Sequence, residues 1–164
     1  LKKIKYVVID ADALTCFKSE TKLFYKLLDK NKIITPHLGE FHKIFPQINK
    51  NTSKIDKVLK AVKLTKSNII LKGQNTIISS YDGKIVINTN ASPELAVIGS
   101  GDVLSGMIVS LIADNKMNPF LAGCAATWIH TDIAKNFKKG LIAEDIVRGI
   151  SSALKRLKNG NINK

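Results

Sequence analysis

The stretch "VIGSGDVLSGMIVSLIADNK", residues 97–116, starts a helix on residues that mostly disfavour one. Gly99, Ser100, Gly101 and Asp102 stand directly before an apolar pattern of helical period. The first N–H groups of a helix have no partner within it, and the helix dipole adds partial positive charge there. Glycines let an anion such as phosphate approach those groups closely. The same four residues equally fit ordinary capping, with Ser100 as the cap and Asp102 complementing the dipole.

Apolar runs and amphipathic patterns on either side of this helix predict an α/β fold. Runs typical of buried strands lie at 5–10, 32–35 and 68–73. Helical patterns lie between and after them, at 21–31, 36–45, 53–65, 100–115, 119–137 and 143–158. Strands that alternate with helices favour a parallel sheet with helices on its faces.

Capping and turn residues give the expected boundaries. Thr35 is the expected N-cap of the helix at 36–45, with Pro36 first, and Asn118 caps the helix that opens on Pro119. Segment 76–88 has the pattern of a hairpin, with an Asp-Gly turn at 82–83. We therefore expect a mixed sheet with a β-hairpin at one edge and three long C-terminal helices.

The composition is that of one globular domain over residues 1–164, with 45% hydrophobic and 24% charged residues. No apolar run reaches the length of a bilayer span. The opening "LKKIKYVVID" has the pattern of a lysine-flanked strand rather than a signal peptide, so we expect a cytoplasmic protein without membrane contact. Cys16 and Cys124 are isolated, which favours reduced thiols over a disulfide or a metal site.

The formal net charge of +13 fits either a nucleic acid or a small phosphorylated ligand. Nearly all the cations are lysines, and arginine occurs only at Arg148 and Arg156. Proteins that recognise DNA bases rely on arginine, and proteins that bind single-stranded nucleic acid need aromatic residues among the basic ones. We therefore expect no nucleic-acid partner and retain the small phosphorylated ligand.

Polar residues follow each of the three expected strands, where ligands of α/β sheets gather. We expect one crevice to bring together His37, Lys72, Thr76, Gly101 and Asp102. Taken singly, Lys72 is better explained as a solvated lysine, and His37 is by default a capping or surface residue.

For three other polar sites of the sequence we expect neither a catalytic nor a metal-binding role. His42 and His130 lie within helical patterns, where we expect structural roles. Asp10 and Asp12 flank a strand end, but the chain is expected to turn there, so a shared metal site is not implied.

Six segments, taken in order, resemble one family. They are "VVIDADAL" (7–14), "TPHLGEF" (35–41), "LKGQNT" (71–76), "LAVIGSGDVLSGMI" (95–108), "AATWIHTDIA" (125–134) and "LIAEDI" (141–146). Together they resemble the ADP- or ATP-dependent NAD(P)H-hydrate dehydratases, repair enzymes of the ribokinase-like superfamily. The resemblance covers residues 5–150, and "TPH-x-GEF" combined with "GSGDVL-x-G" is its specific part.

The resemblance implies a doubly wound α/β fold and a substrate that is hydrated NADH or NADPH. A phosphoryl group passes from ADP or ATP to the hydroxyl of the hydrate, and phosphate then leaves. Asp102 resembles the catalytic base that meets the substrate hydroxyl, and His37 resembles a substrate-binding residue. The implied anion hole is Gly99, Ser100 and Gly101, and the implied nucleotide site is Lys72, Gly73, Gln74, Asn75, Thr76 and Gly101. Mg²⁺ is expected with the phosphates, without a metal site made by the protein alone.

The sequence departs from the family pattern at six positions: Thr15, Leu38, Ala91, Ser92, Val97 and Ile98. Val97 stands where the family has a threonine hydroxyl, and Ile98 is expected to crowd the glycine loop. The family domain begins well before its "DADAL" strand, so this chain resembles the C-terminal portion of a truncated or split domain.

A half-sheet exposes a strand edge and an apolar face. We therefore expect the first strand to lie at an exposed or partner-covered edge. Association would be with a second copy or with a separate N-terminal half. Two other functions stay open: a ribokinase-like kinase for a small alcohol, and a non-catalytic remnant of the dehydratase.

Overall fold

One five-stranded sheet runs through the residues that this computed structural model describes, which are 1, 3–89, 92–137 and 139–159. Its strands are β1 (Val7–Ile9), β2 (Lys32–Ile34), β3 (Asn68–Leu71), β4 (Thr76–Ser79) and β5 (Ile85–Asn88). They lie side by side in chain order, with β1, β2 and β3 parallel and β4 and β5 antiparallel to their neighbours. The expected mixed sheet, with its hairpin at one edge, is confirmed.

In the described residues, seven α-helices cover the sheet. They are α1 (Asp12–Thr15), α2 (Thr21–Leu27), α3 (Leu38–Ile44), α4 (Lys54–Thr65), α5 (Ser100–Ala113), α6 (Pro119–Asn136) and α7 (Ala143–Lys158). Six of them match expected helices to within a few residues. The seventh, α1, and a 3-10 turn at Pro93–Leu95 were not expected, because three or four residues are too few to show a helical period.

Neighbouring strand residues point to opposite faces of the sheet, and each face has its own core. Ile34, Ile69 and Leu71 pack with α1, α2, α3 and α4, whereas Ile33 and Ile70 pack with α5, α6 and α7. All five isoleucines and leucines are fully buried. Helices on both faces give the α/β layers that the alternating pattern indicates.

The expected start of α3 is wrong. Thr35 is not the N-cap, because it continues the strand edge and its N–H donates to the Ile9 carbonyl at 3.1 Å. His37 is the N-cap instead: its Nδ1 accepts from the N–H groups of Gly39 and Glu40, and the Glu40 carboxylate accepts from the His37 N–H. This reciprocal arrangement satisfies three N–H groups at once.

The start of α5 also differs from the capping hypothesis. Gly99 is the N-cap, with a φ of 82° that favours glycine, and Ser100 is already the first helical residue. The side chain of Ile98 is 99% exposed, so the expectation that it crowds the loop is wrong. Of the other departures from the family pattern, Ala91 lies outside the described residues.

The edges of the sheet belong to β1 and β5, since β1 pairs only with β2 among the described strands. The expected edge position of the first strand is therefore confirmed. In the described part of the chain, no helix combines the length and the apolar character needed to cross a membrane.

Candidate active site

The carboxyl ends of β1 and β3 are joined by an ion pair. Lys72, directly after β3, donates from Nζ to Asp10 Oδ1 at 2.7 Å, and the two side chains are 22% and 12% exposed. The same carboxylate accepts from the Ala11 N–H at 2.9 Å and from the Ser105 hydroxyl at 3.0 Å. Ala11 has a φ of 49°, a strained value of the kind that gathers at functional sites.

The N-terminus of α5 faces this ion pair. A methyl group placed on Gly101 would lie 3.4 Å from Lys72 Nζ and 3.5 Å from Asp10 Oδ2. The N–H groups of Gly101 and Asp102 donate to no described residue, whereas the Ser100 N–H donates to the Val97 carbonyl. The start of α5 thus lies against the Lys72–Asp10 ion pair. Its two N–H groups without a described partner and the ammonium of the pair are groups that can bind an anion.

His37 lies at the same end of the sheet. Its backbone bridges to Lys72, whose N–H donates to the Pro36 carbonyl at 2.9 Å. Because Nδ1 accepts from the backbone, the proton of the neutral ring lies on Nε2. The side chain is 58% exposed, and Nε2 lies 3.4 Å from Glu40 Oε1. His37 therefore serves as a cap, as its default interpretation held, and still presents an N–H to solvent.

The segment after Lys72 forms a tight turn that leads into β4. The Thr76 hydroxyl donates to the Gly73 carbonyl at 3.0 Å, and Lys54 Nζ donates to the Asn75 carbonyl at 3.3 Å. Gly73, Gln74 and Asn75 are exposed. The turn thus offers exposed backbone beside the anion site.

A buried histidine lies beneath the start of α5. His130 Nε2, on α6, lies 3.0 Å from both the hydroxyl and the carbonyl oxygen of Ser100. Burial lowers the pKa of His130 to about 4, and the charge of Lys72 acts in the same direction. The ring is therefore neutral near pH 7 and fixes the first helical residue of α5.

The structure places Lys72 beside Gly101 and pairs its backbone with that of His37. A single crevice that also includes Thr76 and Asp102 stays a prediction. The sequence reasoning missed Asp10, Ser105 and His130 as neighbours of that space. Ser105 could have been found, because it stands four residues after Gly101 and so lies on the same helix face.

The donor set does not form a metal cage. In the described ranges, no group of three or more His, Cys, Asp and Glu side chains could hold a metal ion. The Asp10 carboxylate is already engaged by Lys72 and Ser105.

Solved structures share this fold. The ADP/ATP-dependent NAD(P)H-hydrate dehydratase from Bacillus subtilis, co-crystallised with ATP and Mg²⁺, matches with a TM-score of 0.75 at 22% identity, over 95% of this chain and 57% of that one. Hydroxyethylthiazole kinase from Pyrococcus horikoshii matches with a TM-score of 0.70 at 15% identity, over 93% of this chain and 60% of that one. These likenesses show the ribokinase-like α/β fold and do not separate dehydratases from small-molecule kinases.

Sequence similarity favours the dehydratases over the small-molecule kinases. The chain is 34% identical to the ADP-dependent (S)-NAD(P)H-hydrate dehydratase of Neisseria meningitidis, over 94% of this chain and 54% of the relative. It is 32% identical to the bifunctional NAD(P)H-hydrate repair enzyme of Thermosynechococcus vestitus, over 92% of this chain and 30% of the relative. The chain thus spans about half the length, or less, of these curated relatives.

The family model for NAD(P)H-hydrate dehydratase matches residues 1–156. This match covers nearly the whole sequence and confirms the resemblance read from the six motifs. The chain belongs to the NAD(P)H-hydrate dehydratase family.

Proposed function

We propose that this chain supplies the nucleotide and anion site of an ADP- or ATP-dependent dehydratase that acts on hydrated NADH or NADPH. The observation that carries the proposal is the position of the Lys72 ammonium beside Gly101 at the start of α5. A phosphate bound there would meet two N–H groups without a described partner and the ammonium of Lys72, for which it would compete with the Asp10 carboxylate. Family membership supports ADP or ATP as the nucleotide and hydrated NADH or NADPH as the substrate.

The proposed reaction proceeds in two steps. The hydroxyl oxygen of the hydrate attacks the terminal phosphorus of the nucleotide, the bond to the leaving nucleotide breaks, and the hydroxyl proton passes to Asp102. The new phosphate ester then loses phosphate with its bonding electrons, and a proton leaves the neighbouring ring carbon. The nicotinamide double bond is thereby restored.

Each site residue has a proposed role in this reaction. Gly99, Ser100 and Gly101 hold the transferred phosphoryl group. The turn at 72–76, which is exposed at Gly73, Gln74 and Asn75, binds the AMP portion, and Lys72 also neutralises phosphate charge. The His37 Nε2–H donates to the substrate. Mg²⁺ accompanies the phosphates and screens their negative charge when the nucleotide is bound.

The decisive experiment is an assay of the purified chain with hydrated NADH or NADPH and either ADP or ATP. Recovery of the absorbance of the reduced nicotinamide measures dehydration. The assay is run with the chain alone and with the part of the Neisseria relative that this chain does not match. No recovery in any combination, together with no nucleotide binding, would favour the non-catalytic remnant. Phosphorylation of a small alcohol without dehydration would favour the kinase.

A pair of glycine variants tests the anion site directly. Gly101→Ala puts a methyl group between α5 and Lys72 at ordinary contact distance, so the fold should persist while ADP affinity falls. Gly106→Ala, in the same helix, places its methyl group where no atom lies within 4 Å, so ADP affinity should be unchanged. Equal ADP affinity in the two variants would contradict the site.

Association through β1 is a second part of the proposal. β1 pairs only with β2 among the described strands, and the neighbouring Ile4 and Tyr6 are 59% and 43% exposed. An unpaired strand edge beside exposed apolar side chains favours addition of a further strand, from a second copy or from the part of the family domain that this chain does not match. Sedimentation of the chain, alone and mixed with that part, tests the association. A folded monomer under both conditions would overturn it.

A further inference from the structure

His130 is a buried titratable residue that the proposed reaction does not use. It lies on α6 and is 6% exposed, yet its Nε2 approaches α5 rather than its own helix. Both atoms within 3.0 Å of Nε2 belong to Ser100, the first residue of α5 and the middle residue of the proposed anion hole.

The two contacts indicate which ring nitrogen carries the proton. A carbonyl oxygen can only accept, so we assign the proton to Nε2, which then donates to the Ser100 carbonyl. The ring is neutral near pH 7 because burial lowers its pKa to about 4. Nε2 then has no lone pair for the Ser100 hydroxyl, whose oxygen becomes a second acceptor of the same N–H.

This arrangement leaves the hydroxyl hydrogen of Ser100 without an acceptor in the ring. No other hydrogen-bond partner of that hydroxyl lies within reach among the described residues. The side chain is buried and directly precedes Gly101, whose N–H is also without a described partner. The Ser100 hydroxyl is therefore a third donor at the start of α5, provided that the hydrogen bond from the His130 ring keeps its oxygen in this position.

We propose that His130 is a positioning residue of the anion site, whose Nε2–H anchors Ser100 so that the serine hydroxyl donates to a bound phosphate. The inference rests on the proposed nucleotide site. His130 touches neither nucleotide nor substrate; it acts through Ser100, at the junction of α5 and α6.

The test compares three variants by ADP titration. His130→Phe removes the donor and keeps a ring, and it should weaken ADP binding about tenfold, the effect of losing one hydrogen bond. His130→Gln places an N–H near the Nε2 position and should restore most of the affinity. His42→Gln, on α3, is the matched control and should leave affinity unchanged.

Amide spectra separate positioning from a general loss of structure. In His130→Phe, saturating ADP should shift the amide signals of Gly101 and Asp102 less than in the unsubstituted protein, while signals of the turn at 72–76 should respond as before. The inference would be overturned if the ADP-induced shifts fell equally in both segments, or if His130→Phe bound ADP with the affinity of the unsubstituted protein.

A measurement on the unsubstituted protein covers the case in which His130→Phe does not fold. Nitrogen NMR of the ring should show a protonated Nε2 and a bare Nδ1, and the opposite tautomer would overturn the inference. If the unsubstituted chain binds no ADP, alone or with the unmatched part of the relative, the proposed function fails and this inference fails with it. Binding that is insensitive to His130 overturns the inference alone.

Discussion

Lys72 Nζ lies 2.7 Å from Asp10 Oδ1, so an ion pair joins the ends of β3 and β1 across the end of the strand between them. Ser105, from α5, donates to the other oxygen of the same carboxylate. The Asp10 carboxylate thus connects Lys72, directly after β3, to the second turn of α5 at Ser105. This contact sets where the ammonium stands relative to the N-terminus of α5.

Removing either member of this pair should destabilise the protein. We expect Asp10→Asn and Lys72→Met each to lower the free energy of unfolding by about 2 kcal/mol, because each leaves a largely buried charge without its partner. The double variant should lose clearly less unfolding free energy than the two single variants added together, because each single variant already loses the same interaction. Urea unfolding of the four proteins gives the coupling energy. Strict additivity would show that the contact contributes nothing.

Asp102→Asn tests the proposed base. In any preparation with dehydratase activity, turnover should fall about a hundredfold to ten-thousandfold, because an amide cannot accept the hydroxyl proton. ADP binding and folding should persist, since the amide keeps the size of the carboxylate. Asp114→Asn, at the other end of α5, is the matched control and should retain activity. Turnover near that of the unsubstituted protein in Asp102→Asn would remove the assignment, and a variant that merely unfolds would favour the capping role.

Gly39→Ala should break the cap of α3. The added methyl group would lie 2.8 Å from His37 Cε1, so the ring must leave the N–H groups that it accepts. We expect a loss of about 1 kcal/mol in unfolding free energy, the usual worth of an N-cap. Gly106→Ala should instead gain about 0.5–1 kcal/mol from helix propensity, because its methyl group meets nothing. Thermal unfolding of both variants measures the contrast, and a stabilised Gly39→Ala would show that the His37 cap is dispensable.

Stability should fall as the solution becomes mildly acidic. The pKa of His130 is lowered by burial from 6.5 to about 4, so the unfolded chain binds more protons between these values. The free energy of unfolding should therefore fall by about 2 kcal/mol between pH 7 and pH 5, a range above the titration of most carboxylates. Lys72 is the charged neighbour that reinforces the low pKa, and the Ser100 carbonyl opposes it.

Variants identify the source of this pH dependence. His130→Phe should lose most of the fall in stability, as measured by urea unfolding at both pH values. His42→Gln should keep most of it, although burial also lowers the pKa of His42 and adds a smaller contribution of the same sign. A pH dependence unchanged in His130→Phe would exclude His130 as its origin.

The elements that the sequence predicted well are those with a long local signal. α4, α6 and α7 each show several turns of helical period, and the caps of α4 and α6 are Ser53 and Asn118, which stand at the start of those patterns. The start of α3 was misplaced because Thr35 and Pro36 also satisfy the local rule for a helix start. Only the pairing of Thr35 with Ile9, on a neighbouring strand, decides against it.

The sequence by itself determined the order and type of the longer elements, the α/β layers and the family, because these depend on periodicity and on motifs a few residues long. Only the tertiary structure decided which polar side chains meet at the site. Lys72 pairs with Asp10 across 62 residues of sequence, Ser105 reaches Asp10 across 95, and His130 reaches Ser100 across 30. Such contacts follow from strand order and from the packing of α5 and α6 on the sheet, which are long-range burial effects that no local pattern encodes.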